Sequence, residues 1–189
     1  IRDSLYNRGL TDNDFIKYNI GYCPSGEYAD RIIVPSYDER GTLNYFVGRS
    51  VNPDTSFKYK NPSVSKDVIG FEAFINWDVP VVLCEGVFDA MAIKRNAIPL
   101  LGKTMSQSLL RKLALNKVKD VYIALDRDAL KSALTISDQL LSMGKRVYLV
   151  DMADKDPSSM GFKAFTQHIQ TADEINLSKI MEYKLYQLC

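Results

Sequence analysis

Glu85 and Asp89, Asp126 and Asp128, and Asp154 and Asp156 form three acidic pairs, each in a short segment after an apolar run. A chain that alternates strand and helix brings such segments together beyond the carboxyl ends of its strands. Grouped without a cation they would repel: two unit charges about 4 Å apart cost roughly 1 kcal/mol in water and about 4 kcal/mol at an effective dielectric of 20. A hard divalent ion relieves that repulsion and still leaves coordination positions for water and phosphate. The pattern predicts a Mg²⁺ or Mn²⁺ site.

Each pair also has a structural use. In Glu85-Gly86-Val87-Phe88-Asp89 the second acid falls in a first helical turn, where it complements the macrodipole, and Gly86 permits a tight turn. Asp126 and Asp128, spaced i and i+2, point to one side of extended backbone while Arg127 points away, and Asp128 is also placed to cap the following helix. Asp154-Lys155-Asp156-Pro157 consists of common turn residues. Two acid-bearing loops on one sheet edge make the metal reading stronger than either loop alone. Glu85 fits either of two roles, metal ligand or general base.

The elements that must position these acids are legible from Pro80 onward. Val81–Cys84 is a buried-strand run, residues 87–95 read as a helix, and Ile98–Leu101 as a short strand. Ser106–Leu115 has helical spacing with Ser106 as N-cap, Val118–Leu125 is strand-like, Asp128–Met143 is a helix ended by Gly144, and Arg146–Val150 is a fourth strand. The order β-α-β-α-β-α-β implies a parallel sheet, with Glu85 and Asp126 directly after their strands. The front reads differently: helices over Tyr6–Leu10 and Asp12–Ile20 with Thr11 as a cap, a hairpin of Arg31–Ser36 and Leu43–Ser50 about Asp38-Glu39-Arg40-Gly41, and a further strand at Phe57–Tyr59. The expected division is an α+β unit over 1–79, a parallel-sheet domain over 80–170 and a helical segment over 171–189.

Composition limits the alternatives. In 189 residues, 46% hydrophobic and 11% aromatic, neither disorder nor a fibrous repeat fits. No apolar run approaches the roughly 20 residues that cross a bilayer, and Ile1-Arg2-Asp3 lacks a signal-peptide pattern, so no membrane partner and a cytoplasmic location are expected. Ile1 in place of Met reads as a piece of a longer protein. Cys23, Cys84 and Cys189 are too scattered for a disulfide framework or zinc site, and His168 has no ligand partners at metal spacing. The net charge of +1 leaves nucleic-acid binding to a local arrangement of cations.

With Glu85-Gly86-x-x-Asp89 and Asp126-x-Asp128 on consecutive strand ends, the chain resembles a TOPRIM domain. Arg8-Gly9-Leu10, Ile20-Gly21-Tyr22-Cys23-Pro24, Arg31-Ile32-Ile33-Val34-Pro35, Gly48-Arg49 and Lys58-Tyr59-Lys60-Asn61-Pro62 resemble, in that order, the RNA polymerase core of DnaG-type primases from bacteria and phages. The likeness runs over roughly residues 4–165. Asp156-Pro157 is followed by Ser158 where the family has a second acid, and Lys131 stands near a position commonly held by glycine.

The resemblance implies an α/β fold, a TOPRIM-type parallel sheet flanked by helices and preceded by a small α+β subdomain. It implies synthesis of short RNA primers on single-stranded DNA from nucleoside triphosphates, with a replicative helicase in cis or trans. Glu85, Asp126 and Asp128 are expected to hold the principal ion, and Asp89 and Asp156 to orient it or bind another. Arg31, Arg49, Lys58, Lys60, Asn61 and Lys66 are expected to face them and bind nucleotide or template, with Tyr45, Phe46, Phe57 and Tyr59 as candidate base-stacking rings. A TOPRIM nuclease and a non-catalytic module that binds nucleic acid or a replisome partner are the competing readings.

Overall fold

A computed structural model describes residues 5–152 and 157–186. Asp154, Asp156 and Cys189 lie outside the described residues, so the expected third acidic loop is not placed.

Helix α1 (Asp12–Lys17) starts at Thr11, whose hydroxyl accepts from the Asp14 N–H at 3.4 Å while the Asp14 carboxylate accepts from the Thr11 N–H at 2.8 Å. These reciprocal bonds satisfy two donors that a helix start leaves open. Strands β1 (Gly21–Cys23), β2 (Arg31–Tyr37), β3 (Leu43–Ser50) and β4 (Tyr59–Lys60) form an antiparallel sheet in that order. The β2–β3 hairpin falls where its alternating residues and its Asp38–Gly41 turn predict, with Gly41 at φ +79°. β1 was not expected: three partly exposed residues carry too little alternation to reveal a strand. The strand expected over Phe57–Tyr59 starts two residues later, at Tyr59, and pairs through Tyr59 with Arg49 and through Lys60 with Gly48.

The second sheet contains β5 (Val81–Cys84), β6 (Ala97–Pro99), β7 (Asp120–Ala124), β8 (Arg146–Leu149) and β9 (Asp173–Ile175). Its spatial order is β6-β5-β7-β8-β9; the first four are parallel and β9 runs antiparallel to β8. β9 lies within the stretch expected to be helical. Its three residues show no helical or strand period on their own, and pairing with β8 makes them a strand. Helices α2 (Val87–Ile93), α3 (Gln107–Leu115), α4 (Leu130–Ser142), α5 (Pro157–Met160), α6 (Phe162–Gln170) and α7 (Leu177–Tyr186) follow α1 in chain order, with 3₁₀ turns at Glu72–Phe74 and Arg127–Ala129.

Both faces of this sheet are covered, and β5 shows it residue by residue. Val82 and Cys84 pack with Met91 and Phe165, on the side of α2 and α6, whereas Val81 and Leu83 pack with Leu113 and Leu140, on the side of α3 and α4. That is the period-2 alternation of a strand buried on both faces. The first cluster also holds Ile32, Val34 and Tyr45 of the antiparallel sheet, so one core crosses the boundary drawn near residue 79. Gly70 lies on this seam: a Cβ there would sit 2.4 Å from the Pro99 carbonyl oxygen. Lys94 bonds Asp14 across it at 3.0 Å.

Candidate functional site

From β5 the chain crosses to β6 on one side and then to β7 on the other. The loops after β5 and β7 therefore diverge and leave a crevice, as at the switch points where open α/β sheets bind ligands. Glu85 follows β5 and Asp126 follows β7, and the two strands are hydrogen-bonded neighbours. The Asp126 N–H donates to Glu85 Oε1 at 3.3 Å, which joins the two strand ends directly.

Glu85, Asp126 and Asp128 each offer a carboxylate oxygen within 4.8 Å of the others. Oxygens about 2.1 Å from one octahedral ion lie about 3.0 Å apart when cis and about 4.2 Å apart when trans, so side-chain shifts on the order of an ångström draw the three onto one ion. Three hard oxygen donors from two loops, with exposed Asp128 leaving one side open to solvent, suit a Mg²⁺ or Mn²⁺ ion. Asp126 and Asp128 converge by a route different from the expected extended one. Arg127–Ala129 forms a 3₁₀ turn after Asp126, and this turn brings the two carboxylates together.

The charges act on one another. Burial and the neighbouring Asp126 carboxylate raise the Glu85 pKa, against the pull of Lys103 and the Asp126 N–H. Lys103 Nζ bonds Asp128 Oδ2 at 2.7 Å, which lowers the Asp128 pKa and raises that of Lys103. Asp89 has a different place: its Oδ2 accepts from the Gly86 N–H at 3.1 Å at the start of α2, and it lines the cleft without joining the three converging acids. Cys84 is fully buried and its thiol is pushed well up by burial, which makes it a core residue.

A cleft of about 520 Å³ opens over these acids, within the usual size of small-molecule sites. Arg49, Lys58 and Asn61 line it from the antiparallel half, opposite Glu85, Asp89 and Asp126. Arg31 lies behind this wall. Its guanidinium donates to the carbonyls of Phe57 at 3.1 Å and Lys58 at 3.4 Å, bracing the backbone that carries Lys58. Lys60 turns away to Glu27, 3.2 Å from its carboxylate, so Lys58 and Lys60 do not share a surface. Lys66 bonds the Leu101 carbonyl at 3.1 Å, and Leu101 is at the cleft edge. Of the four rings, Tyr45 is buried and Phe46 packs edge-on against Tyr28, while Phe57 and Tyr59 are 74% and 48% exposed and remain open to a base.

Two residues enter the site that the acid and base patterns did not single out. Arg8 lines the cleft with its guanidinium 5.5 Å from the Phe88 ring, and Arg49 lies 5.2 Å from the same ring and 5.1 Å from that of Tyr59. Arg8 carried a signal only through the Arg8-Gly9-Leu10 resemblance. Lys103 carried none, because its contact with Asp128 spans 25 residues of sequence.

No family model matches the chain. It is 31% identical over 134 residues to the uncharacterized protein MG010 of Mycoplasma genitalium, covering 66% of this chain and 60% of that one. It is 29% identical over 194 residues to the DNA primase of Aquifex aeolicus, covering 76% of this chain and 38% of the primase. The chain thus spans less than two thirds of the length of either relative. Among solved structures, a DnaG primase catalytic domain bound to single-stranded DNA superposes with a TM-score of 0.80 at 21% identity, covering 97% of this chain and 74% of that one. The chain is similar in sequence to bacterial DNA primases and has the fold of the DnaG primase catalytic core.

Proposed function

We propose that this chain is the nucleotidyl-transfer core of a DNA primase, building short RNA primers on single-stranded DNA during replication in the cytoplasm. The observation that carries the reading is the meeting, over one cleft, of the acids at the ends of β5 and β7 with Arg49 and Lys58 from the antiparallel half. Likeness to bacterial primases over 76% of the chain supports it. In the reaction a 3′-oxygen attacks the α-phosphate of a nucleoside triphosphate, the bond to pyrophosphate breaks, and the hydroxyl proton passes to water.

Glu85, Asp126 and Asp128 would hold the divalent ion, which supplies Lewis-acid neutralisation of the charge that develops on the transferring phosphate. Lys58 and Arg49 bind phosphates of triphosphate or template, Lys as a point charge and Arg through paired donors. Arg49 is steadied by the rings of Phe88 and Tyr59, and Arg31 holds the Lys58 backbone in place. Phe57 and Tyr59 offer stacking surface for an unpaired base. Asp89 orients the Gly86 turn beside Glu85, and a replicative helicase in cis or trans supplies the single strand.

The test is incubation with single-stranded DNA, nucleoside triphosphates and Mn²⁺. Short RNA products, lost in Asp126→Asn with the fold retained, support the proposal. Shortened template and no RNA would place the chain among nucleases, and full synthesis by Asp126→Asn would overturn the assignment of the acids.

A further inference from the structure

Lys103 sits in the loop after β6, and that loop is fastened to the strand end bearing Glu85. The Leu100 N–H donates to the Cys84 carbonyl at 2.8 Å and the Gly102 N–H to the Glu85 carbonyl at 3.3 Å, so the backbone on both sides of residue 101 is held to the end of β5. From there the ammonium reaches Asp128 Oδ2 on the neighbouring loop at 2.7 Å. It thereby bridges the loop tied to Glu85 and the loop carrying the other two acids.

We propose that Lys103 is a resident counter-cation of the acidic cluster, competing with the divalent ion for Asp128, so that metal loading requires its ammonium to leave. The inference rests on the reading of Glu85, Asp126 and Asp128 as a metal site. Three carboxylates crowded within 4.8 Å attract a cation, and Lys103 is already bonded to the most exposed of them. A divalent ion shared with that ammonium on one carboxylate would meet a like charge at close range. Both partners of the bridge are solvent-accessible, Lys103 at 43% and Asp128 at 73% of their side-chain surface, so the bond is weak enough to exchange. The displaced side chain has room to move: Lys103 also lines a second hollow of about 210 Å³, beside Ser132 and Thr135. Lys103 is a competitor in this scheme, occupying Asp128 until the ion takes its place.

Titration of the chain with Mn²⁺, followed by the electron paramagnetic resonance of free Mn²⁺, tests this without reference to catalysis. Lys103→Met is expected to bind Mn²⁺ at least threefold more tightly than wild type, and Lys103→Arg to stay within twofold. A Lys103→Met protein that binds no more tightly, or more weakly, overturns the inference, since Lys103 would then be a bystander or a support for Asp128. Added diamagnetic Mg²⁺ should also move the Lys103 Cε resonance, identified by its loss in Lys103→Met; a signal that stays in place while Mg²⁺ binds overturns the exchange. Wild type that binds no Mn²⁺, or Glu85→Gln that binds it as tightly as wild type, removes the metal-site reading itself and this inference with it.

Discussion

Glu85→Gln should make the metal-free protein more stable while taking away its response to metal. Glu85 and Asp126 carry ligand oxygens within 4.8 Å of each other. At that separation two negative charges repel by about 0.9 kcal/mol in water and about 3.5 kcal/mol at an effective dielectric of 20. Both residues are half-buried and Lys103 offsets part of the field, so a gain of about 1 kcal/mol is expected, or roughly 2–4 °C in Tm for a protein of this size. Glutamine keeps the acceptor oxygen that the Asp126 N–H uses, so the substitution removes charge and leaves the loop-to-loop bond intact. The pH dependence has the same origin. A carboxyl whose folded pKa is raised binds its proton more tightly in the fold than in the unfolded chain, so wild-type stability falls as pH rises through the window between the ordinary glutamate value and the raised one. The variant lacks that fall. The assay is thermal unfolding by circular dichroism in chelator and then in millimolar Mn²⁺, where ligand binding to the native state raises Tm for wild type only. The order of stability should reverse between the two buffers. A variant less stable than wild type in chelator, or equal Mn²⁺ shifts for both, would show that these acids are not held together against their repulsion for the sake of an ion.

Asp14→Ala removes the reciprocal helix cap of α1 and the bond to Lys94 across the seam, and should cost about 2 kcal/mol. Burial raises the Asp14 pKa, but the Lys94 and Thr11 hydrogen bonds outweigh it and hold the net value down, so its stabilisation is present above the ordinary aspartate range and lost as pH falls through the depressed value. Urea titrations of both proteins should converge at low pH; a gap that stays constant from neutral pH into acid contradicts the account. Gly70→Ala forces a methyl within 2.4 Å of the Pro99 carbonyl oxygen and should destabilise by about 3 kcal/mol or more, whereas unchanged denaturation would mean the seam is looser than drawn. Lys58→Ala should weaken single-stranded DNA binding and lower the slope of log affinity against log salt by about 0.7, one phosphate contact's worth. Lys60→Ala, whose ammonium is taken by Glu27, should leave that slope unchanged, and equal effects of the two would refute the separate placements.

Local chemistry alone determined the strands and helices that carry the acids. Val81–Cys84 is a strand because four consecutive apolar residues bury both of its faces, α1 starts at Thr11 because hydroxyl and carboxylate cap each other, and the β2–β3 hairpin follows from alternating residues and a glycine turn. These signals lie within a few residues of one another, where backbone geometry leaves few choices. The placement of Glu85 and Asp126 at one sheet edge follows, since each comes directly after its strand. Tertiary structure decided what the spacing left open. Asp128 joins Asp126 through a 3₁₀ turn, Lys58 faces the cleft while Lys60 turns to Glu27, Arg31 braces from behind, and Lys103 reaches the acids from a loop with no motif of its own. Such contacts join residues tens of positions apart, and the side a charged side chain takes depends on which opposite charge the packed core brings within reach.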